Sequence, residues 1–300
     1  MPVPVILDTD IGFDVDDVWA LAFMLKCPEL DVKLVTTNTG DTEYSAALTC
    51  KLLQVAGRTD IPVGIGLSLD AIERTHSNWL GDHSVKDYPG VVYQDGVGAM
   101  IDTVVQSPAA ITIVSIGPLA NIAAALQREP AIVHNSRFIG MHGSIRKGYL
   151  GIDRPMKEYN VIKHTAACQR VFSTDWDISI TPLDTCGIVS LRDQNFETFK
   201  ASTDPLAIAV MENHVGWIEA VRHWKGMEDF DAQRRSSVLY DTVAVYMAFS
   251  EELLEMEMLP IRVTDDAMTV TEEGAQMVRC AMKWKDLPAF EQMLTERLAS

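Results

Sequence analysis

The stretch Val5-Ile6-Leu7-Asp8-Thr9-Asp10-Ile11-Gly12-Phe13-Asp14-Val15-Asp16-Asp17-Val18-Trp19-Ala20-Leu21 decides how this chain is read. An apolar run of the kind a buried strand makes ends in Asp8 and Asp10. Gly12 then marks a turn, and three more aspartates lead into an apolar helical pattern. Five carboxylates thus fall within ten residues. Alternation along a strand puts Asp8 and Asp10 on one side, while Asp14, Asp16 and Asp17 occupy the turn and the first helical positions. Aspartate caps helix N-termini and suits the positive end of the helix dipole, which accounts for one or two of them. The remainder would repel one another beside a buried strand unless protonated, hydrogen-bonded or neutralised by a cation. A bound metal is the simplest remedy. Oxygen donors without neighbouring Cys or His suit a hard ion, calcium or magnesium, rather than zinc.

Outward from this stretch the same unit repeats. Residues 32–37 read as a second buried strand, followed by a polar loop through Asp41 and a helix over 46–56. Residues 62–65 form a short third strand. The long polar section 68–96 carries His76, Trp79, Asp82, His83, Tyr88 and Tyr93, a mixture suited either to covering a ligand or to an ordinary surface excursion. Strands follow at 111–116, turning through Gly117-Pro118-Leu119-Ala120-Asn121 into a helix, and at 137–141, running into an irregular stretch over 142–159. A helix near 165–173, a strand at 178–180 and helices up to Trp224 come next. Asp241 stands alone before another apolar helix, where its plain role is an N-cap. Short late strands at 259–263, 268–271 and 276–284 precede a closing helix over 287–298.

Strands alternating with helices at this spacing predict an α/β fold: a single domain over 1–300 with a mostly parallel open sheet and helices on both faces. The late strands add a small antiparallel extension near the C-terminus. A ligand site then lies at the carboxyl ends of the strands, where Asp10, Asp41, Ala120 and Met141 fall.

Composition narrows the partners. With 47% hydrophobic residues among 300, a sizeable core is assured. A formal net charge of −17 and a pI near 4.7 exclude nucleic-acid backbones and anionic membranes and favour a neutral or cationic small molecule. Cys27, Cys50, Cys168, Cys186 and Cys280 are scattered, with no metal spacing, and read as reduced buried thiols of a cytoplasmic protein. The first residues pass straight into an apolar strand, so no signal peptide is expected, and no apolar run reaches membrane-spanning length.

With these pieces placed, the chain resembles the nucleoside hydrolase family, the inosine-uridine-preferring nucleoside N-ribohydrolases, from Val5 to about Phe249. That family opens with Asp-x-Asp-x-Gly-x-Asp-Asp after a strand. Asp8-Thr9-Asp10-Ile11-Gly12 matches it, and the closing pair comes two residues late as Asp16-Asp17, so either Asp14 or Asp16 takes the sugar-binding role. The resemblance implies a Rossmann-like nucleoside hydrolase fold and a Ca2+ ion on the Asp10, Asp17 and Asp241 side chains and the Ala120 carbonyl. It implies Asp10 as the base that takes a proton from the attacking water. Glu158-Tyr159-Asn160 is similar to the family's Glu-Phe-Asn segment. Asn160 then holds ribose hydroxyls, and Asp41 and Glu158 grip the rest of the sugar. The implied reaction is hydrolysis of a ribonucleoside or related riboside to ribose and free base, in base salvage, by a homodimer or homotetramer.

The chain also departs from the family. Tyr240 stands before Asp241 where many members have histidine, no histidine precedes Asp95-Gly96, and the segment 148–154 lacks the family's asparagine. Tyr240 could donate to the departing base, although a phenol is a poorer acid than imidazole at neutral pH. His142, at a strand end, is the nearest imidazole candidate for the pocket. His214 and His223 read as packing or surface residues. Trp19 reads as core, and Trp217 and Trp224, seven apart, either pack or close over a substrate. Two other readings compete: an aspartate-nucleophile phosphatase, which also opens on Asp-x-Asp, and a calcium-dependent sugar or nucleoside binder without turnover.

Overall fold

A computed structural model describes all 300 residues. Its first strand, β1 (Val3–Thr9), is buried from Val5 onward because it has parallel neighbours on both edges and apolar layers on both faces. Val5 and Leu7 join the larger layer, with Trp19 and Phe23 of the helix Asp16–Leu25. Ile6 joins the smaller one, with Leu119, Ile122 and Phe172. The period of two along the strand thus sorts its side chains between the faces.

Nine further strands complete one sheet: β2 (Leu30–Thr37), β3 (Val63–Ile65), β4 (Val92–Tyr93), β5 (Ile111–Ser115), β6 (Ser136–Met141), β7 (Ile178–Thr181), β8 (Leu254–Val263), β9 (Thr269–Thr271) and β10 (Gln276–Trp284). Their order is β4-β3-β2-β1-β5-β6-β7-β10-β8-β9, parallel up to β10 and antiparallel from there. The chain winds from β1 outward to β4, then returns to lay β5 on the other side of β1. That reversal opens a crevice at the carboxyl ends of β1 and β5, where open α/β sheets take their ligands. The expected α/β domain with a mostly parallel sheet and a late antiparallel extension is what the chain forms. The extension is joined to the main sheet through β10, which pairs parallel with β7 and antiparallel with β8.

One segment differs from expectation. Residues 68–96 are not structureless: they hold the helix Ser77–Leu80, a 3-10 turn Val85–Asp87 and the edge strand β4, too short to show a period. The first part of this section also braces the aspartate-rich turn, since Thr75 Oγ1 donates to the Phe13 carbonyl at 2.7 Å and His76 Nε2 lies 3.1 Å from the Asp14 carbonyl. All five cysteines are buried and unpaired, and no helix is long and apolar enough to cross a membrane.

Candidate active site

The aspartate-rich stretch divides into two parts. Asp8, whose register partners are Thr36 on β2 and Ser115 on β5, lies below the site. Its carboxylate accepts from Thr36 Oγ1 at 2.7 Å, Asn38 Nδ2 at 2.8 Å and Asn121 Nδ2 at 2.8 Å, with Ser115 Oγ at 3.4 Å. Full burial outweighs these donors and raises its pKa to about 6. Asp8 therefore ties the loops after β2 and β5 to β1. Asp10, Asp14, Asp16 and Asp17 instead line one cavity of about 290 Å³, joined there by Asp241 and Glu158.

Gly12 makes the turn between them possible. Its φ is +116°, and a side chain there would meet Tyr44 at 2.7 Å. Gly117, past β5, lets that loop close on Asp10, since a Cβ would stand 2.6 Å from Asp10 Oδ1. None of the aspartates caps the helix Asp16–Leu25, whose N-cap is Val15 with no side-chain bond. Asp241 likewise precedes the helix Thr242–Met247 without capping it. Asp14 accepts from Val15 N at 2.6 Å and Asp17 from Thr9 Oγ1.

The donor set fits a hard cation. Asp16, Asp17 and Asp241 bring carboxylate oxygens within 4.8 Å of one another, all buried. No ion pair anywhere in the structure reaches Asp10, Asp14, Asp16, Asp17 or Asp241. Burial first, and neighbouring carboxylates second, hold Asp10, Asp16 and Asp241 well above the usual carboxylate range; burial raises Asp17 to about 7. Such uncompensated charge is what a divalent ion relieves. The tight trio contains Asp16, to which the sequence resemblance gives a sugar role, and leaves Asp10 just outside. Asp10 still faces the same cavity, close enough to raise both Asp16 and Asp241.

Other expected site residues are placed differently. Asp41 does not line the cavity: it caps the helix Thr42–Val55 by accepting from Tyr44 N at 3.1 Å, and it pairs with Arg74. His142 is buried beneath the site, its Nε2 3.0 Å from the Gly117 carbonyl, and burial beside Phe138 and Phe172 lowers its pKa to about 3. Ala120 opens the helix Ala120–Arg128 in the turn after β5, is buried and does not line the cavity. Glu158 reaches the cavity, but its oxygens accept from the main-chain N–H groups of Gly143, Asn160 and Val161. Asn160 spends both amide hydrogens on the carbonyls of Ile116 and Met141, each at 3.0 Å, leaving Oδ1 for a ligand. Asp184, given no chemistry by its sequence, accepts from the backbone N–H groups of Ile145, Arg146 and Lys147 and shapes the irregular stretch.

Five aromatic residues line the same cavity: Phe13, Tyr149, Tyr159, Trp224 and Tyr240. Phe13 stacks on Tyr159 with centroids 5.6 Å apart and 15° between planes, and Trp224 leans on Phe13 at 5.1 Å. The tryptophan pair divides. Trp217 is core and donates to the Phe13 carbonyl at 2.8 Å, whereas Trp224 lines the cavity. Phe13, Tyr149 and Tyr159 were not legible as site residues, although Phe13 and Tyr159 each adjoin one. No histidine lines the cavity. His214 packs against Trp19 and Phe196, and His223 is exposed beside Glu73.

Comparison with known proteins agrees with this geometry. The profile of the inosine-uridine preferring nucleoside hydrolase family matches residues 5–294. The pyrimidine-specific ribonucleoside hydrolase RihA of Citrobacter koseri is 30% identical over 223 residues, 71% of this chain and 70% of that protein. A plant nucleoside hydrolase superposes with a TM-score of 0.83 over 100% of both chains at 24% identity. The purine-preferring ribonucleoside hydrolase from Gardnerella vaginalis does so at 0.80, over 99% and 98% of the two chains, at 21% identity. The chain belongs to the inosine-uridine preferring nucleoside hydrolase family and is an N-glycosyl hydrolase of ribonucleosides.

Proposed function

We propose that the enzyme takes a free ribonucleoside, sugar against the aspartates and base against the aromatic rings, and cleaves it in a calcium-dependent reaction. The observation that carries this is one cavity of about 290 Å³ lined by six carboxyl groups and five aromatic residues together. Its size is at the small end of ligand sites, and its charge repels a phosphate, so nucleotides are disfavoured. The ion would be held by Asp10, Asp17 and Asp241 and the Ala120 carbonyl, with Asp16 grouped with Asp17 and Asp241. When bound, calcium supplies positive charge that orients sugar hydroxyls and makes a water more acidic.

The chain's own groups do the rest. Asp10 accepts a proton from the attacking water. Asp14 and Asp16 accept hydrogen bonds from ribose hydroxyls, and Asn160 offers Oδ1. As the C1′–N bond lengthens, positive charge grows on the sugar, and the buried carboxylates stabilise it. Tyr240, kept protonated by burial and by Asp14 and Asp16, donates its O–H toward the base. Main-chain donors hold Glu158 so that it frames the cavity without swinging into it. His142 steadies the Gly117 turn on which Asp10 rests.

Unpaired cysteines are consistent with a cytoplasmic enzyme of base salvage, and the family resemblance makes a homodimer or homotetramer the expected assembly, readable by light scattering. The deciding experiment is ribose release from uridine, cytidine, inosine and guanosine with calcium and with EGTA. Release that EGTA stops and calcium restores supports the reading; release indifferent to EGTA removes the ion from it.

A further inference from the structure

A neutral base leaves as a nitrogen anion unless a proton reaches it, so a hydrolase of neutral nucleosides gains from an acid beside the base. This cavity offers poor acids. No histidine lines it. His76, the nearest to the aspartate turn, has one ring nitrogen 3.0 Å from Asn213 Oδ1 and the other 3.1 Å from the Asp14 carbonyl. The lining hydroxyls are the phenols of Tyr149, Tyr159 and Tyr240, which are weak acids at neutral pH. Glu158 is occupied by three main-chain donors.

What lines the cavity instead is what a cation seeks. The five aromatic residues present π-faces and edges, and no lysine or arginine lines the cavity. Six carboxyl groups line it with no basic side chain among them. Asp14 belongs to the Phe13-Asp14-Val15 turn that departs from the family's spacing. It lines the same cavity as Tyr149, Tyr159 and Tyr240.

We propose that the preferred substrates are ribosides whose base already carries a positive charge: quaternised N-ribosides such as pyridinium or 7-alkylpurinium ribosides. This rests on the ribonucleoside-hydrolase reading above and narrows its substrate class. In such a substrate the C1′–N bond breaks with its electron pair passing to the ring nitrogen, which discharges the cation, and the base departs neutral. Water adds its oxygen to C1′ and gives its proton to Asp10. No proton donor is needed at the base, and the aromatic rings and Asp14 recognise the charge that is lost in the reaction.

The test compares kcat/KM of the calcium-loaded enzyme for 7-methylguanosine and guanosine, each divided by its uncatalysed hydrolysis rate, alongside inosine and uridine. Inhibition by the 1-methylnicotinamide cation is measured against neutral nicotinamide, which removes chemistry from the comparison. The expected result is a preference of at least about tenfold for the cation in both pairs, the scale of a desolvated cation–π contact. Asp14→Asn should shrink both ratios; if that variant does not fold, the wild-type ratios decide. Efficient cleavage of guanosine, inosine or uridine with both ratios near unity overturns the substrate class and leaves nucleoside hydrolysis standing. Cleavage of no riboside overturns the underlying reading and this one with it.

Discussion

The indole N–H of Trp224 donates to Glu73 Oε2 at 3.3 Å, and the same carboxylate lies 3.5 Å from His223 Nε2. One exposed glutamate thus ties the loop after the helix Pro205–Ala220 to the loop before Ser77–Leu80, and holds over the cavity the ring that leans on Phe13. Base–aromatic stacking contributes about 1–3 kcal/mol, so Trp224→Ala should raise KM for a cleaved riboside by roughly tenfold or more with a smaller change in kcat. Glu73→Ala, which only loosens the ring, should raise KM about two- to fivefold, within the range of exposed polar contacts. Equal KM values for all three proteins would take Trp224 out of the site.

Asp10→Asn keeps size and polarity but cannot accept the water's proton. Its kcat should fall by about 10²–10⁴ while the far-ultraviolet circular dichroism stays that of the parent. A kcat within threefold of wild type would assign the base elsewhere.

Asp8 makes a contrasting prediction, because its work is to join loops rather than to touch substrate. Asp8→Ala strands the buried donors of Thr36, Asn38 and Asn121 and should cost about 3 kcal/mol in urea unfolding. Asp8→Asn, which preserves some acceptors, should cost less. Unchanged stability in Asp8→Ala would refute the buttress.

Metal and proton should compete. Burial raises Asp14 to about 6 and Asp17 and Glu158 to about 7, above ordinary values of 3.8 and 4.5. Between the unfolded and folded values the native chain holds protons that the unfolded chain has lost, so metal-free stability falls as pH rises from about 4 to about 7. A cation binds the ionised carboxylates, so its stabilisation is full at high pH and fades as pH falls through about 7 to 6. The gain in melting temperature from calcium over EGTA should therefore be large at about pH 8 and small at about pH 5. Equal gains at the two would mean that the ion sits away from these carboxylates.

Much of this was readable along the chain. The run 5–7 and the repeated strand-loop-helix units foretell a parallel sheet because buried strands and amphipathic helices have different periods. Five aspartates in ten residues announce a charged site because so much like charge needs a remedy. The edge strand β4 escaped notice because two residues carry no period. Asp41 and His142 lie off the cavity for another reason: adjacency to a strand end gives a side chain's neighbourhood but not its partner. Arg74 and the Tyr44 N–H claimed the first, and the Gly117 carbonyl the second.

By itself, then, the sequence determined the fold class, the strand end that bears the site, and the acidic, oxygen-only chemistry there, since these follow from local period and residue type. Only the tertiary structure decided which aspartates meet. It sank Asp8 among the donors of β2, β5 and their loops, and brought Asp241 from more than two hundred residues away to Asp16 and Asp17. It also brought Phe13, Tyr149, Tyr159, Trp224 and Tyr240 to the lining of one cavity. These depend on the order in which strands lie side by side, and that order is settled by packing across the whole sheet.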